Sequence, residues 1–211
     1  MFRTVNAGPA QTAACQQDTG DPDAWEARHN TYQPPEKVMD AIGVKEGMVI
    51  AEVGAGRGRY AVLVAARVGG KGKVYANDID EDKLDYLRHR CERDGIGNLE
   101  TILGTVTDPK LPAGKMDIVY LINTYHHLDD PVELMRSILP ALKPGGHLVI
   151  IEHDSEKYPG AGRHHSTPQK DLLQEAEAAG YELVRIETFL ERDNINIFRP
   201  TNPTGAKESK N

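Results

Sequence analysis

Four groups of residues carry side chains whose types and spacing could do chemistry. Residues 49–58, VIAEVGAGRG, place an acid, Glu52, just ahead of glycines at 54, 56 and 58. Gly54, Gly56 and Gly58 remove side chains where an apolar run turns into the next element, so a ligand can approach the backbone closely. A carboxylate at Glu52 would repel a phosphate and welcome an ammonium or a hydroxyl, so the turn suits a cationic or neutral ligand. Asp78 ends a second apolar run, KVYAND, about twenty residues past the glycines, where doubly wound sheets set a carboxylate on ribose hydroxyls. Such an acid accepts two charge-assisted hydrogen bonds from a diol, each roughly twice as strong as a neutral one. The remaining groups are His126 and His127, in NTYHHLDDP, and the triplet Glu152-His153-Asp154. Histidine titrates near neutral pH, which makes His126, His127 and His153 the candidate proton acceptors.

Spacing narrows the ligand. The dinucleotide fingerprint G-x-G-x-x-G, counted from Gly54, requires glycine where Arg59 stands. Counted from Gly56 it ends at Ala61, and alanine is sometimes accepted there, so a nicotinamide cofactor stays open as an alternative. No Gly-Lys-Ser/Thr ending of a phosphate-binding loop follows. Arg57 and Arg59 allow two readings: contact with a ligand anion, or solvated side chains at a helix start, the second favoured because long cationic side chains extend to water. Glu152, His153, Asp154, His164 and His165 are of metal-ligand type but lack H-x-x-x-H or C-x-x-C spacing, so no metal is expected. Arg163-His164-His165 reads either as a lid over a substrate or as exposed loop.

Regular elements must position these groups. Apolar runs at 48–53, 73–77, 99–103, 117–122 and 147–151 read as strands; helical patterns fall at 34–42, 59–68, 81–94, 132–142 and 169–179. Their alternation predicts a parallel sheet covered by helices on both faces. The two last runs, 181–190 and 194–199, are joined by Glu191-Arg192-Asp193, a connection short enough only for an antiparallel hairpin. The fold class is therefore α/β: a doubly wound, mostly parallel seven-stranded sheet with an antiparallel C-terminal hairpin strand. Asp80 is placed to cap the helix opening at Glu81. Cys91 lines up with Leu84 and Leu87 as core packing. Residues 1–33 form an arm, mobile over 1–20 and docked through Trp25 and Tyr32; residues 34–200 form the domain; residues 201–211 form a polar tail.

Together, EVGAGRG, YANDID, MDIVYLINTYHHL and LKPGGHLVIIEHD resemble, in order and spacing, the class I S-adenosylmethionine-dependent methyltransferases of Rossmann-like fold. The resemblance covers residues 35–200. It implies S-adenosylmethionine as cosubstrate, a turn at Gly54, Ala55 and Gly56 cradling the methionine moiety, and Glu52 helping to hold its amino group. It implies further that Asp78, followed by Ile79, binds the ribose, and that Asn123 lies under the methionine moiety. Asp108 would accept from the adenine amine beside Val106; its residue type equally suits a turn cap ahead of Pro109. The implied function is methyl transfer to a small-molecule acceptor not identified by the sequence. A nicotinamide oxidoreductase and a binding protein without turnover are the alternatives. A general base is needed only if the attacking atom keeps its proton.

Composition sets the partners. The chain has 211 residues, with 25 Lys and Arg against 32 Asp and Glu and a formal charge of -7. An acidic chain lacks the general attraction for phosphate polymers, so a small-molecule substrate is expected rather than nucleic acid. No apolar stretch approaches the roughly twenty residues of a membrane helix, and no apolar signal core opens the chain, so a cytoplasmic location is expected. A homodimer is left open. Cys15 and Cys91 define neither a metal spacing nor a disulfide framework, and two cysteines so placed argue against an arsenic substrate.

Overall fold

A computed structural model describes residues 22–155, 157 and 166–201. The expected mobile arm with Cys15, the segment Arg163-His164-His165 and residues 202–211 of the polar tail lie outside the described residues.

Seven strands make one sheet: β1 (Val49–Val53), β2 (Lys73–Asp78), β3 (Leu99–Leu103), β4 (Met116–Ile122), β5 (Leu142–His153), β6 (Tyr181–Glu187) and β7 (Asp193–Pro200). Their order is β3-β2-β1-β4-β5-β7-β6. The first five run parallel; β7 is antiparallel to both β5 and β6 and lies between them. Strand order reverses between β1 and β4, which opens a crevice beyond their carboxyl ends, where open α/β sheets bind ligands. The chemistry-bearing residues Glu52, Asp78, Asn123 and His153 all sit at that edge.

Side-chain alternation divides the interior into two cores. Ile50, Val74, Tyr120, Val149, Ile195 and Ile197 face one side, with α2 (Pro35–Ile42), α3 (Ala61–Val68) and α4 (Glu81–Asp94). Ala51, Val119, Leu121, Leu148 and Phe198 face the other, against α5 (Pro131–Ile138) and α6 (Gln169–Ala178). Asp80 accepts from the backbone of Asp82 and Lys83 at the start of α4, and Cys91 is buried on its inner face, both as the sequence indicates.

The differences have local causes. The helix expected over 132–142 stops at Ile138, because Pro140 cannot donate and Leu142 already pairs with Met116. The strand expected over 181–190 ends at Glu187. More consequential is α1 (Pro22–Tyr32), a helix where the sequence suggests only a docked arm. PDAWEARHNTY shows no apolar stripe, and what holds it is polar. Glu26 forms a two-point ion pair with Arg90 of α4 (2.7 and 3.0 Å), and the Arg192 guanidinium lies 3.5 Å from the Tyr32 ring centroid.

Candidate functional site

The turn after β1 is tied to the end of β2: Gly54 N and Ala55 N both donate to Asn77 O, at 2.9 and 2.8 Å. Its three glycines serve different ends, which corrects the expectation that all three clear space for a ligand. A Cβ on Gly54 would lie 2.2 Å from Thr124 Cγ2, and one on Gly58 would lie 2.3 Å from Leu87 Cδ1. Those positions accommodate the protein's own loop and helix. Among the described residues, a Cβ on Gly56 would meet nothing within 4 Å, so of the three, Gly56 faces open space.

Asp78 closes the turn from the other side. Its Oδ2 accepts from Gly56 N at 2.7 Å and its Oδ1 from Asp80 N at 3.0 Å. Each carboxylate oxygen has two lone pairs, so the group retains acceptor capacity for a diol. Beside it, Ile79, Leu103 and Val106 leave apolar side chains exposed at the ends of β2 and β3, and Leu103 pairs with Asp78 in the sheet. Asp108 caps a turn: its Oδ1 accepts from Lys110 N at 2.7 Å, and its own N–H donates to Thr105 Oγ1 at 3.0 Å.

Glu52 lies two residues on from Ile50 and points to the α3 face, beneath the turn rather than into the open crevice. It is buried, and Tyr120 OH donates to its Oε2 at 2.9 Å. Burial pushes its pKa up to about 8, against the lowering effects of Tyr120, Arg59 and the Ala61 backbone. Arg59 is likewise buried, which corrects the reading of a solvated side chain. Its guanidinium donates to Asn30 Oδ1 (3.0 Å) and Gln33 Oε1 (2.6 Å) and packs over the Tyr60 ring, 4.6 Å from its centroid. Arg57 stays exposed, over the Tyr86 ring.

Two histidine–carboxylate pairs stand at the ends of β4 and β5. His126 Nδ1 lies 2.8 Å from Glu152 Oε1, and His153 Nδ1 lies 2.6 Å from Asp193 Oδ1. Their rings are nearly parallel, 16° apart, with centroids separated by 6.3 Å. The His126 side chain is 5% exposed and that of His153 21%, so the second is the more accessible. Burial alone lowers the His153 pKa. The contact with Asp193 and the charges of Asp193 and Glu152 outweigh burial and the opposing Arg192, and the net shift is upward. His127 is exposed and leans on His126 at 4.0 Å between centroids.

Asn123 and Gln33 join the two halves. Asn123 follows β4 in the left-handed region, φ 49°, a conformation uncommon for residues other than glycine. The Gln33 amide nitrogen donates to Asn123 Oδ1 and to Asp193 Oδ2, both at 3.1 Å. Asp193 and Gln33 escape sequence reasoning because no motif contains them, and Tyr120, within MDIVYLINTYHHL, reads there only as part of an apolar strand. The available signal was the hairpin register, which sets Asp193 directly opposite His153. Among the described residues, no group of three or more His, Cys, Asp or Glu is placed to hold a metal ion.

Comparison with known proteins places this geometry. Residues 50–146 match a family model described as a methyltransferase domain. The fold superposes on an S-adenosylmethionine-dependent methyltransferase from Aquifex aeolicus with a TM-score of 0.76 and 26% identity, covering 85% of this chain and 98% of that one. These matches support a class I S-adenosylmethionine-dependent methyltransferase with a Rossmann-like fold. A ubiquinone/menaquinone biosynthesis C-methyltransferase from Idiomarina loihiensis is 28% identical over 115 residues, 54% of this chain and 46% of that protein. A demethylmenaquinone methyltransferase from Listeria monocytogenes is 25% identical over 124 residues, 59% of this chain and 52% of the relative. The matched region thus spans about half the length of these curated relatives.

These matches imply S-adenosylmethionine as cosubstrate, and the residues present fit it. Gly56 opens toward the crevice, Asp78 keeps lone pairs for a ribose diol, and three exposed apolar side chains offer a platform for a flat base. The nicotinamide alternative finds no support in these matches. Among the described residues, no helix is long and apolar enough to cross a membrane.

Proposed function

We propose that this methyltransferase acts on a small acceptor bearing an ionisable hydroxyl or an acidic carbon, and that His153 takes the acceptor's proton. The observation that carries the reading is the 2.6 Å contact between His153 Nδ1 and Asp193 Oδ1 at the crevice edge. The negative charge of Asp193 beside Nδ1 favours a proton on that nitrogen, which leaves Nε2 with the basic lone pair. His126, more deeply buried on Glu152, holds the end of β4 against β5, and His127 is assigned no proton.

Bound S-adenosylmethionine supplies a methyl group on a sulfonium, from which a neutral thioether departs. The chain's own work is to bind and orient. The turn at Gly54, Ala55 and Gly56 approaches the methionine moiety, with Asn123 beneath it. Asp78 accepts from the ribose hydroxyls, while Ile79, Leu103 and Val106 flank the base and Asp108 stands at its amine edge. Glu52 acts from below, beneath the turn, on the side of the amino group. As the acceptor's electron pair forms the bond to the methyl carbon, His153 Nε2 takes the proton released. The relatives named for quinone biosynthesis support an acceptor of this kind, a hydroxylated ring whose ionisation makes a carbon or oxygen nucleophilic.

We place the catalytic domain at residues 34–200, with α1 as its cover. The acidic charge of -7 supports a small-molecule substrate over nucleic acid, and a cytoplasmic location and a homodimer complete the proposal. Calorimetry should show micromolar binding of S-adenosylhomocysteine and none of NAD. Labelled methyl transfer to a panel of hydroxylated aromatics, amines and thiols then tests the acceptor. Transfer confined to amines would overturn the acceptor class; tight product binding with no transfer to any member would favour a binding protein. Sedimentation measures the oligomeric state.

A further inference from the structure

We infer that Gln33 is a positioning residue that locks the Asp193 carboxylate against His153, so that the segment after α1 completes the proton-taking pair. The inference rests on the reading of His153 as base, and it concerns a residue outside every recognisable motif.

Gln33 is buried, and every polar group it has is engaged. Its backbone N–H donates to His29 O (3.0 Å) and its backbone carbonyl accepts from Tyr60 OH (2.7 Å). Its side-chain carbonyl accepts from Arg59 at 2.6 Å. A guanidinium has only donors, so Arg59 dictates which end of the amide is oxygen. The amide nitrogen is thereby turned toward Asn123 Oδ1 and Asp193 Oδ2, with its two hydrogens matched to two acceptors. Arg59 is fixed in its turn by Asn30 of α1.

Asp193 needs this donor. Its side chain is buried, and a buried carboxylate without donors is costly. Nearby cations are directed elsewhere: Lys157 Nζ donates to the Asp193 main-chain carbonyl, at 3.3 Å, and the Arg192 guanidinium covers the Tyr32 ring. Gln33 holds Oδ2, and the other oxygen lies 2.6 Å from His153 Nδ1. Among the described residues, the groups facing the His153 ring are Asp193 from β7, Glu152 from β5, Arg192 from the hairpin and His126 after β4. Among them, only the Asp193 carboxylate is oriented by Gln33.

The test uses the full chain labelled with ¹⁵N-histidine, with His153 signals assigned by their loss in His153→Gln. In the wild-type protein the neutral ring carries its proton on Nδ1. In Gln33→Met, which is close in size, and in Gln33→Leu, the Nδ1–H fraction falls. In both, the ring pKa drops toward the ordinary histidine value of about 6.5. Glu26→Ala, which breaks the ion pair of α1 with Arg90 but removes no hydrogen bond to Arg59 or Gln33, keeps the wild-type tautomer and titration. A folded Gln33→Met protein with unchanged tautomer and titration would overturn the inference. The two readings fail separately: full methyl transfer by His153→Gln would sink the base assignment while the tautomer result stands.

Discussion

Asp78 Oδ2 accepts a hydrogen bond from Gly56 N at 2.7 Å, so the acid at the end of β2 is bonded to the one glycine of the turn that faces open space. The two groups proposed to meet the cosubstrate are therefore a single unit. Removing the carboxylate takes away both the diol acceptor and the brace on the turn. Asp78→Ala should weaken S-adenosylhomocysteine binding by about 1.5–3 kcal/mol, the range for hydrogen bonds to charged groups. Calorimetry checks this, and an unchanged affinity would remove Asp78 from the site.

Glu52 makes the cosubstrate-free protein's stability depend on pH. Its pKa is raised from 4.5 to about 8, so the folded protein binds a proton there that the unfolded chain has released. A group shifted this way contributes fully below its unfolded pKa, and the contribution is lost as pH rises through the folded one. Thermal stability should fall between pH 4.5 and about 8, the window set by the two values. Glu52→Gln stays neutral and should flatten that fall, a difference of a few kcal/mol at about 1.4 kcal/mol per pKa unit. Parallel pH profiles of melting temperature in the two proteins would contradict the assignment.

What the sequence discloses follows from where information is local. Glu52, the glycines and Asp78 are legible because a buried strand, a tight turn and an acid lie within a few residues of each other. The parallel sheet and its antiparallel last strand follow from alternation and from the three-residue connector. Asp193 is not legible by the same means. It belongs to that connector in the sequence and meets His153 only through pairing 40 positions away in register. Arg59 misleads because a cation at a helix start usually reaches solvent, whereas here α1 covers it. The helix itself escapes notice because ion pairs and a ring contact hold it, and those leave no periodic apolar signature.

The raised pKa of His153 sets the pH dependence of turnover. A base must be deprotonated to accept a proton, so the rate should climb with pH through a value above 6.5. His153→Gln should lower kcat by about 10² to 10⁴ with little change in cosubstrate binding. His126→Gln should chiefly reduce stability, since its ring is nearly sealed against Glu152. The pH–rate profile of each variant, measured with any acceptor found by the panel, separates these outcomes. Equal losses of kcat in both would show that the two pairs act as one unit.

Gly56 and Gly58 allow stability and ligand binding to be separated within three residues. Both have positive φ, 56° and 82°, so alanine at either position bears backbone strain of about 1–2 kcal/mol. Only at position 58 does the new methyl also enter the core, 2.3 Å from the Leu87 side chain on α4. Overpacking of that kind costs about 1–3 kcal/mol more. Gly58→Ala should therefore lower the melting temperature clearly. Gly56→Ala should lower it less, yet it thrusts a methyl into the space where the cosubstrate's backbone contact is proposed. That variant should lose at least tenfold in S-adenosylhomocysteine affinity, about 1.4 kcal/mol. Melting curves and calorimetry on the two proteins give the comparison. If Gly56→Ala binds product as tightly as wild type, the ligand does not lie against this turn, because none of the described residues comes within 4 Å of the added methyl.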